Sequence, residues 1–428
     1  MPDAFASLWR ATAAETASFP PLAGRASARV AVIGGGYTGC SAALHLAAKG
    51  IETILVEADD IGWGCSGRNV GMVNAGLFLN PDVVEGALGE KAGRALNEGL
   101  GGSPALVRSL IEAHGIACDA STTGIVKAAF GEKAAAGLAE HVRQWRARGA
   151  AIDLLSAHEV ARMTGSPRYQ GGLIDHRAFT IHPLSYARGL ARAAQGAGAR
   201  IHEKTRAVAI RKSGGSWVVD TPKGDIVADH VVVAVGAYGD DLVPGIRQSF
   251  VPAGCFLCAT EPVPDRYRDG VLPNGISFYD TRSAMLFARY DRDFRLVIGS
   301  MGWLPRGSAA AWARSAICAT FPILPELTID YEWDGTIDLT PDHLPWVAEP
   351  EPGLSIVGGY NGRGIGQGTF WGKVIADRIA GAPSDDLPIA ASPPRSTFRG
   401  LKQVAYQTAF SVMRIQGGSW SQMSEPRA

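Results

Sequence analysis

The sequence predicts an α/β fold, α+β over the whole chain, in which a parallel, helix-covered sheet is joined to an antiparallel one. Three observations predict it. Residues 29–57 read strand, glycine turn, helix and strand, a βαβ unit of about 30 residues. Val231, Val232, Val233, Ala234 and Val235 form an unbroken apolar run closed by Gly236, as in a strand buried on both faces of a parallel sheet. Residues 245–340 alternate strongly and carry many aromatics, the pattern of antiparallel strands.

Local chemistry justifies each element in turn. The β-branched run 29–33 is a strand, broken by three glycines. Residues 37–49 are good helix formers on an alanine-rich stretch, and Gly50 ends that helix. Residues 52–57 are the next strand, and 58–80 a loop rich in Gly, Ser and Asn. Residues 81–150 are mostly helical around a strand at 124–129, and 183–196 is another helix. Short strands follow at 200–203, 208–212, 217–221 and 225–228, then the apolar strand at 231–236. Residues 354–358 are a strand, followed by a glycine-rich loop and a helix over 369–380, which Gly381 and Pro383 stop. A Pro- and Ser-rich tail starts at 384. Its basic, apolar segment 398–415 is a helix suited to packing on the body, to a partner or to a membrane surface.

The 428 residues suit two or three domains at roughly 150 each. With 46% hydrophobic and 19% charged residues the chain is not disordered. Lys+Arg and Asp+Glu are 41 each, so no net charge points to nucleic acid or to an anionic membrane. No run reaches the about 18 apolar residues of a spanning helix, and the charged first 28 residues do not read as a signal peptide; a cytoplasmic location is expected. The six cysteines are scattered, without a disulfide framework. Cys255 and Cys258 lie three apart on a strand, hence on opposite faces, and no second pair completes a site, so no metal is expected.

Gly34-Gly35-Gly36-Tyr37-Thr38-Gly39 fits G-x-G-x-x-G in the setting that gives the pattern meaning, between a strand and a helix. Gly34 permits the tight turn, Gly36 lets a diphosphate approach the backbone, and Gly39 lets helix and strand pack. Tyr37 and Thr38 open a helix whose N–H groups face the phosphates. Glu57, followed by Ala58, ends the second strand 18 residues past Gly39, where an acid bonds ribose hydroxyls. This is a Rossmann-like unit. Residues 61–74 suit a loop wrapped around an extended ligand, through Gly64, Cys65, Ser66, Gly67, Arg68 and Asn69. Val208 and Gly236, on later strands, complete the nucleotide end.

Residues 358–368 hold the most unusual stretch, with Gly359, Gly362, Arg363, Gly364 and Ile365 between a strand and a helix. A helix start here aims a positive dipole at a group that becomes anionic. Reduced flavin carries such charge on its pyrimidine edge, whereas a nicotinamide enzyme needs no second glycine loop of this kind. FAD is the cofactor expected.

Val32-Ile33-Gly34-Gly35-Gly36-Tyr37-Thr38-Gly39, Gly62-Trp63-Gly64-Cys65-Ser66-Gly67-Arg68-Asn69 and Gly359-Tyr360-Asn361-Gly362-Arg363-Gly364 resemble the D-amino-acid-oxidase-type FAD oxidoreductases. Phe278-Tyr279-Asp280-Thr281-Arg282, Thr340-Pro341-Asp342-His343-Leu344-Pro345 and the N-terminal arm with Trp9 are similar to the γ-glutamylputrescine oxidase and L-pipecolate oxidase group. The resemblance implies an FAD domain from 29–76, 183–244 and 341–383. It implies a discontinuous substrate domain on the antiparallel sheet, from 77–182 and 245–340, with 384–428 as a tail. It further implies oxidation of a C–N bond by hydride transfer to flavin, hydrolysis of the imine, and electron transfer to O2 or another acceptor. Sarcosine oxidases in this family hold flavin through a cysteine shortly before the Thr-Pro-Asp segment, and other relatives through a histidine in the loop after the second strand. Here no cysteine follows Cys318 and residues 61–74 contain no histidine, so non-covalent FAD is expected.

A substrate carboxylate needs a fork-shaped donor. Arg282, Arg289 and Arg363 are candidates, and Tyr279, Phe287, Tyr290 and Trp303 are candidate walls. The residues expected at the reacting centre are Arg363, Arg282 and Tyr279. His182, before Pro183, reads as structural rather than as a base. A polyamine, a cyclic imino acid and a linear amino acid all remain candidate substrates. An FAD-dependent 2-hydroxy-acid dehydrogenase and a flavoprotein subunit with a binding role are the alternatives. No G-x-S-x-G, H-E-x-x-H or G-x-x-x-x-G-K-[ST] pattern points to other chemistry.

Overall fold

The computed structural model describes residues 7–305, 307–382 and 386–417, with side chains to 412. Two large sheets dominate these residues. The first centres on Ala26–Ile33, which pairs in parallel with Thr53–Val56 on one side and Gly224–Val233 on the other. Parallel pairing continues outward to Arg200–His202 and to Leu354–Gly358. Trp346–Glu351 and Ile389–Ala390 extend the Leu354 side, and a hairpin of Ala209–Ser213 and Ser216–Thr221 flanks Gly224–Val233.

The apolar runs explain this arrangement. Val30 and Val32 pack against the helices Tyr37–Ala47, Pro183–Gly196 and Gly364–Ile379, while Ala31 and Ile33 face a second cluster with Trp217 and Ile226. The central strands are therefore buried on both faces, as all-parallel pairing requires.

The second sheet runs Ile329–Leu339, Val251–Pro262, Arg295–Met301, Leu286–Tyr290, Ser277–Asp280, Ile125–Ala129, Gly171–Asp175 and Ile152–Ser156. Its pairs are antiparallel except where Ser277–Asp280 meets Ile125–Ala129 in parallel. That exception joins strands from distant parts of the chain, where no hairpin dictates direction. Leu257, Gly299, Phe287 and Tyr279 stand in one cross-strand row, so three large side chains share a face.

Two expectations need correction. Residues 225–228 and 231–236 are not separate strands: Gly224–Val233 is continuous, and Gly236, at φ +52°, begins a tight turn instead of ending a strand. The helix expected from 369 begins at Gly364. Glycine costs a helix about 1 kcal/mol relative to alanine, which argues for a late start, but packing overrides it. A Cβ on Gly366, Gly368 or Gly372 would lie 2.4, 2.9 or 2.5 Å from Ser103, Thr38 Oγ1 or the Thr38 carbonyl. Gly368 and Gly372 let the helix lie directly against Tyr37–Ala47, and Gly366 lets it approach Ser103 at the start of the helix Ser103–His114. The stop expected at Pro383 lies outside the described residues.

Candidate active site

The parallel strands of the first sheet end at a cavity of about 690 Å³, lined on its other side by the second sheet. Such strand ends are where open α/β sheets bind ligands. Gly34, Gly36, Tyr37 and Thr38 line it, and Gly34 holds φ +109°. A Cβ on Gly34 would sit 2.4 Å from the Ala234 carbonyl oxygen, and one on Gly36 would sit 3.0 Å from Ser66 Oγ. Gly39 stays outside the cavity as the packing glycine, its virtual Cβ 1.9 Å from the Gly34 carbonyl oxygen. Helices Tyr37–Ala47 and Gly364–Ile379 both start at the cavity, where Gly364 and Ile365 join Gly362. Two positive helix ends in one cavity suit a ligand with anionic groups.

Glu57 lines the cavity half-buried. Its Oε2 accepts from the Gly35 amide at 2.7 Å and its Oε1 from the Asp59 amide at 2.9 Å. Burial raises its carboxyl above the ordinary range. The remaining lone pairs can accept from ribose hydroxyls. Glu57→Ala is expected to weaken FAD binding at least tenfold, from the loss of about 1.5–3 kcal/mol of charge-assisted hydrogen bonding. Titrating FAD into apoprotein checks this, and an unchanged dissociation constant would contradict the placement.

The loop after the second strand is held by its carbonyls. Trp333 Nε1 donates to the Arg68 oxygen at 2.8 Å, and Trp9 Nε1 to the Asn69 oxygen at 2.9 Å. Arg289 Nη1 reaches the oxygens of Val70 and Ile181 at 3.2 and 2.6 Å. Asn69 Nδ2 also donates to the Tyr37 hydroxyl at 3.0 Å. Gly64, Cys65, Ser66 and Asn69 line the cavity. Gly67 and Arg68 stand behind them: a Cβ on Gly67 would lie 2.3 Å from the Gly62 carbonyl oxygen, and Arg68 stacks 4.5 Å from the Trp63 ring while donating to its carbonyl at 2.8 Å.

The structure separates the expected residues further. Ala58 and Gly236 line the cavity. Val208 does not: it is 55% exposed, because its amide pairs with the Asp220 carbonyl and its side chain turns outward, and Thr205, Arg206 and Ala207 line the cavity in its place. Gly359 lies behind the wall, at φ +79° beside Trp346 and Thr340. Tyr279 and Phe287 line the cavity on the side of the second sheet, with Leu257, Met285 and Met301, whereas Tyr290 and Trp303 lie elsewhere.

None of the three arginines reaches the cavity. Arg282 is paired with the buried Asp280, Nε to Oδ2 at 2.7 Å, and its guanidinium lies 4.8 Å from the Phe130 ring. Arg289 is spent on the carbonyls above. Arg363 donates through Nη1 to Ala75 O at 2.7 Å and Gly76 O at 3.3 Å, and through Nη2 to the Tyr279 hydroxyl at 2.9 Å. Phe78, which lines the cavity, covers it at 4.2 Å. His182 caps the helix Pro183–Gly196: its Nδ1 accepts from the Ser185 amide at 3.1 Å, and burial lowers it to about 3, so the ring is neutral.

Sequence reasoning missed Phe78, Tyr238 and Asp338; the helix expected at 398–415 is present as Arg399–Gly417 and packs on the body, but that it brings Tyr406, Ala409 and Phe410 to the cavity was not foreseen. Tyr406 and Phe410 lie four apart on one helical face, a legible signal. Asp338 accepts from the Gly359 amide at 2.6 Å, and burial lifts its carboxyl to about 6. A carboxyl raised in this way contributes stability that is complete below the unfolded carboxylate range and is lost as pH rises through about 6. FAD-free protein is therefore expected to lose about 3 kcal/mol relative to Asp338→Asn between about pH 4 and about pH 7. Diverging Tm curves check this, and parallel curves would contradict it. Among the described residues no His, Cys, Asp or Glu cluster is placed to hold a metal ion, and no helix is long and apolar enough to cross a membrane.

Residues 29–378 match the family described as DAO: FAD dependent oxidoreductase. The chain is 31% identical to the "Probable oxidoreductase OrdL" of Rhizobium meliloti (strain 1021) over 406 residues, 92% of this chain and 94% of that one. It is 31% identical to the gamma-glutamylputrescine oxidoreductase of Escherichia coli (strain K12) over 386 residues, 89% of this chain and 90% of that one. The crystal structure of glycine oxidase from Geobacillus kaustophilus superposes with a TM-score of 0.69 over 84% of this chain and 96% of that one, at 24% identity. Fingerprint, double helix start and these likenesses agree: the chain belongs to the DAO family of FAD dependent oxidoreductases.

Proposed function

We propose that the protein binds FAD non-covalently and oxidises the C–N bond of an amine or amino acid, passing electrons to O2 or another acceptor. One observation carries this reading: a single cavity joins a nucleotide cradle at the start of Tyr37–Ala47, a second helix start at Gly364 and an apolar wall from the second sheet. The residues fit the cofactor. Gly34, Gly36 and the start of Tyr37–Ala47 would hold the diphosphate, Glu57 the ribose, and Gly362, Gly364 and Ile365 the flavin.

When bound, FAD supplies the hydride acceptor, and the imine product then hydrolyses in water. The chain's own residues position and dry the substrate. Leu257, Met285, Phe287 and Met301 exclude water from the reacting carbon. Burial raises the Tyr279 hydroxyl, which therefore stays protonated. Because that oxygen accepts from Arg363, its proton is left to be donated to a polar group of the substrate. The relative named gamma-glutamylputrescine oxidoreductase supports an amine donor.

Acid precipitation of the yellow protein is expected to leave all flavin in the supernatant; colour in the pellet would refute non-covalent binding. Product analysis tests the reaction itself. C–N oxidation of an acyclic donor releases ammonia or an amine together with a carbonyl compound, and that of a cyclic imino acid gives the cyclic imine or its ring-opened amino-carbonyl form. Formation of a 2-oxo acid from a hydroxy acid, with no nitrogen released, would assign the alternative dehydrogenase chemistry.

A further inference from the structure

The helix Arg399–Gly417 has an unusual division of faces. Its inner face carries Tyr406, Ala409 and Phe410 to the cavity, and Gln407 bonds the Trp303 carbonyl at 3.3 Å. A surface helix packed in this way normally presents polar residues outward. Here Leu401, Val404 and Val412 are 70, 63 and 43% exposed, and Phe398, just before the helix, is 79% exposed. Ala405 and Thr408 fill the same outer face. This is a contiguous apolar stripe, the kind of surface that marks an interaction site.

Charge identifies what covers it. Residues 387–417 contain four ionisable side chains of the Lys, Arg, Asp and Glu types, Arg395, Arg399, Lys402 and Arg414, and all four are basic. The whole chain balances 41 against 41, so this is a local concentration of one sign. A second copy of the same helix would bring like charges together. An apolar stripe with Arg395 and Lys402 beside it, and no acidic residue between Leu387 and Gly417, matches an anionic bilayer, which offers a hydrocarbon boundary and phosphates at once.

We propose that this helix docks the protein on an anionic lipid bilayer, Phe398, Leu401 and Val404 entering the interface while Arg395 and Lys402 meet headgroup phosphates and Arg399, whose Nε donates to the Phe250 carbonyl at 3.1 Å, ties the helix start to the body. The helix then lies between the bilayer and the cavity it helps to line.

The test is sedimentation of the FAD-loaded full-length protein with phosphatidylcholine vesicles, with and without phosphatidylglycerol. Binding is expected only with phosphatidylglycerol, and is expected to fall as salt is added. A Phe398→Ser, Leu401→Gln, Val404→Gln variant is expected to partition roughly tenfold less. An Arg395→Glu, Lys402→Glu variant, which keeps the apolar stripe, is expected to lose the lipid preference while keeping its flavin spectrum. Wild-type protein left in the supernatant with both vesicles would overturn the proposal, as would undiminished binding by both variants. Concentration-dependent dimers that the apolar variant abolishes would assign the face to a second copy and overturn it equally.

Discussion

Gly34→Ala is expected to yield protein that is purified without flavin. The residue holds φ +109°, which an L-residue adopts only at a cost of about 1–3 kcal/mol. The added methyl would also lie 2.4 Å from the Ala234 carbonyl oxygen, which is backbone at the end of a central strand. Either the fingerprint turn or the end of Gly224–Val233 must move, and both line the cavity's nucleotide end. The FAD dissociation constant is expected to rise roughly a hundredfold or more, equivalent to about 3 kcal/mol. Gly24→Ala is the control. It too has a positive φ, +73°, but its Cβ meets nothing within 4 Å, so it carries the strain without the clash. Fluorescence titration of both apoproteins separates the effects: normal FAD affinity in Gly34→Ala would mean that this turn does not cradle the diphosphate.

Arg363→Ala is expected to slow flavin reduction with every substrate, with little dependence on substrate charge. The guanidinium is buried behind Phe78 and Tyr279, and it ties three cavity-forming segments together. Its loss strands the Ala75 carbonyl and leaves the Tyr279 hydroxyl without its donor, at about 1–3 kcal/mol for each unsatisfied group. On the proposed placement of the flavin beside Gly362, Gly364 and Ile365, it also removes a positive charge near the ring that becomes anionic. Arg363→Lys keeps the charge but not the fork, so it is expected to recover only part of the rate. Tyr279→Phe removes the hydroxyl alone and isolates that contribution. A direct anchor for a substrate carboxylate predicts a different split: KM rises for acidic substrates and stays constant for neutral amines. Stopped-flow reduction rates beside KM values distinguish the two, and the acid-selective pattern would contradict the positioning role.

Much of the nucleotide end was legible because its constraints are local. Gly34, Gly36 and Glu57 act within one βαβ unit, and their spacing reports their geometry. The strand Leu354–Gly358 and the helix Pro183–Gly196 were bounded by sharp composition changes and match expectation residue for residue. The substrate end was less legible because it depends on contacts between distant segments. Arg282, Arg289 and Arg363 look alike in sequence, and the partners that occupy them, Asp280, Ile181 O and Ala75 O, are set by tertiary packing. The start at Gly364 was hidden for a related reason. Glycine argues against helix until the neighbouring helix that needs its smallness is known. Val208 lies off the cavity because its amide pairs with the Asp220 carbonyl at the mouth of the strand Ala209–Ser213, while the irregular segment 205–207 before it lines the cavity, a placement set by tertiary pairing.

Anaerobic spectrophotometry decides whether this cavity holds FAD and presents it to a C–N bond. Purified yellow protein is mixed, without oxygen, with a panel of γ-glutamyl amines, cyclic imino acids, linear amino acids and 2-hydroxy acids, and the flavin absorbance is followed. The expected result is rapid bleaching by at least one nitrogen-containing donor and none by the hydroxy acids, with colour restored when an acceptor is admitted. Bleaching by a hydroxy acid alone would contradict the account.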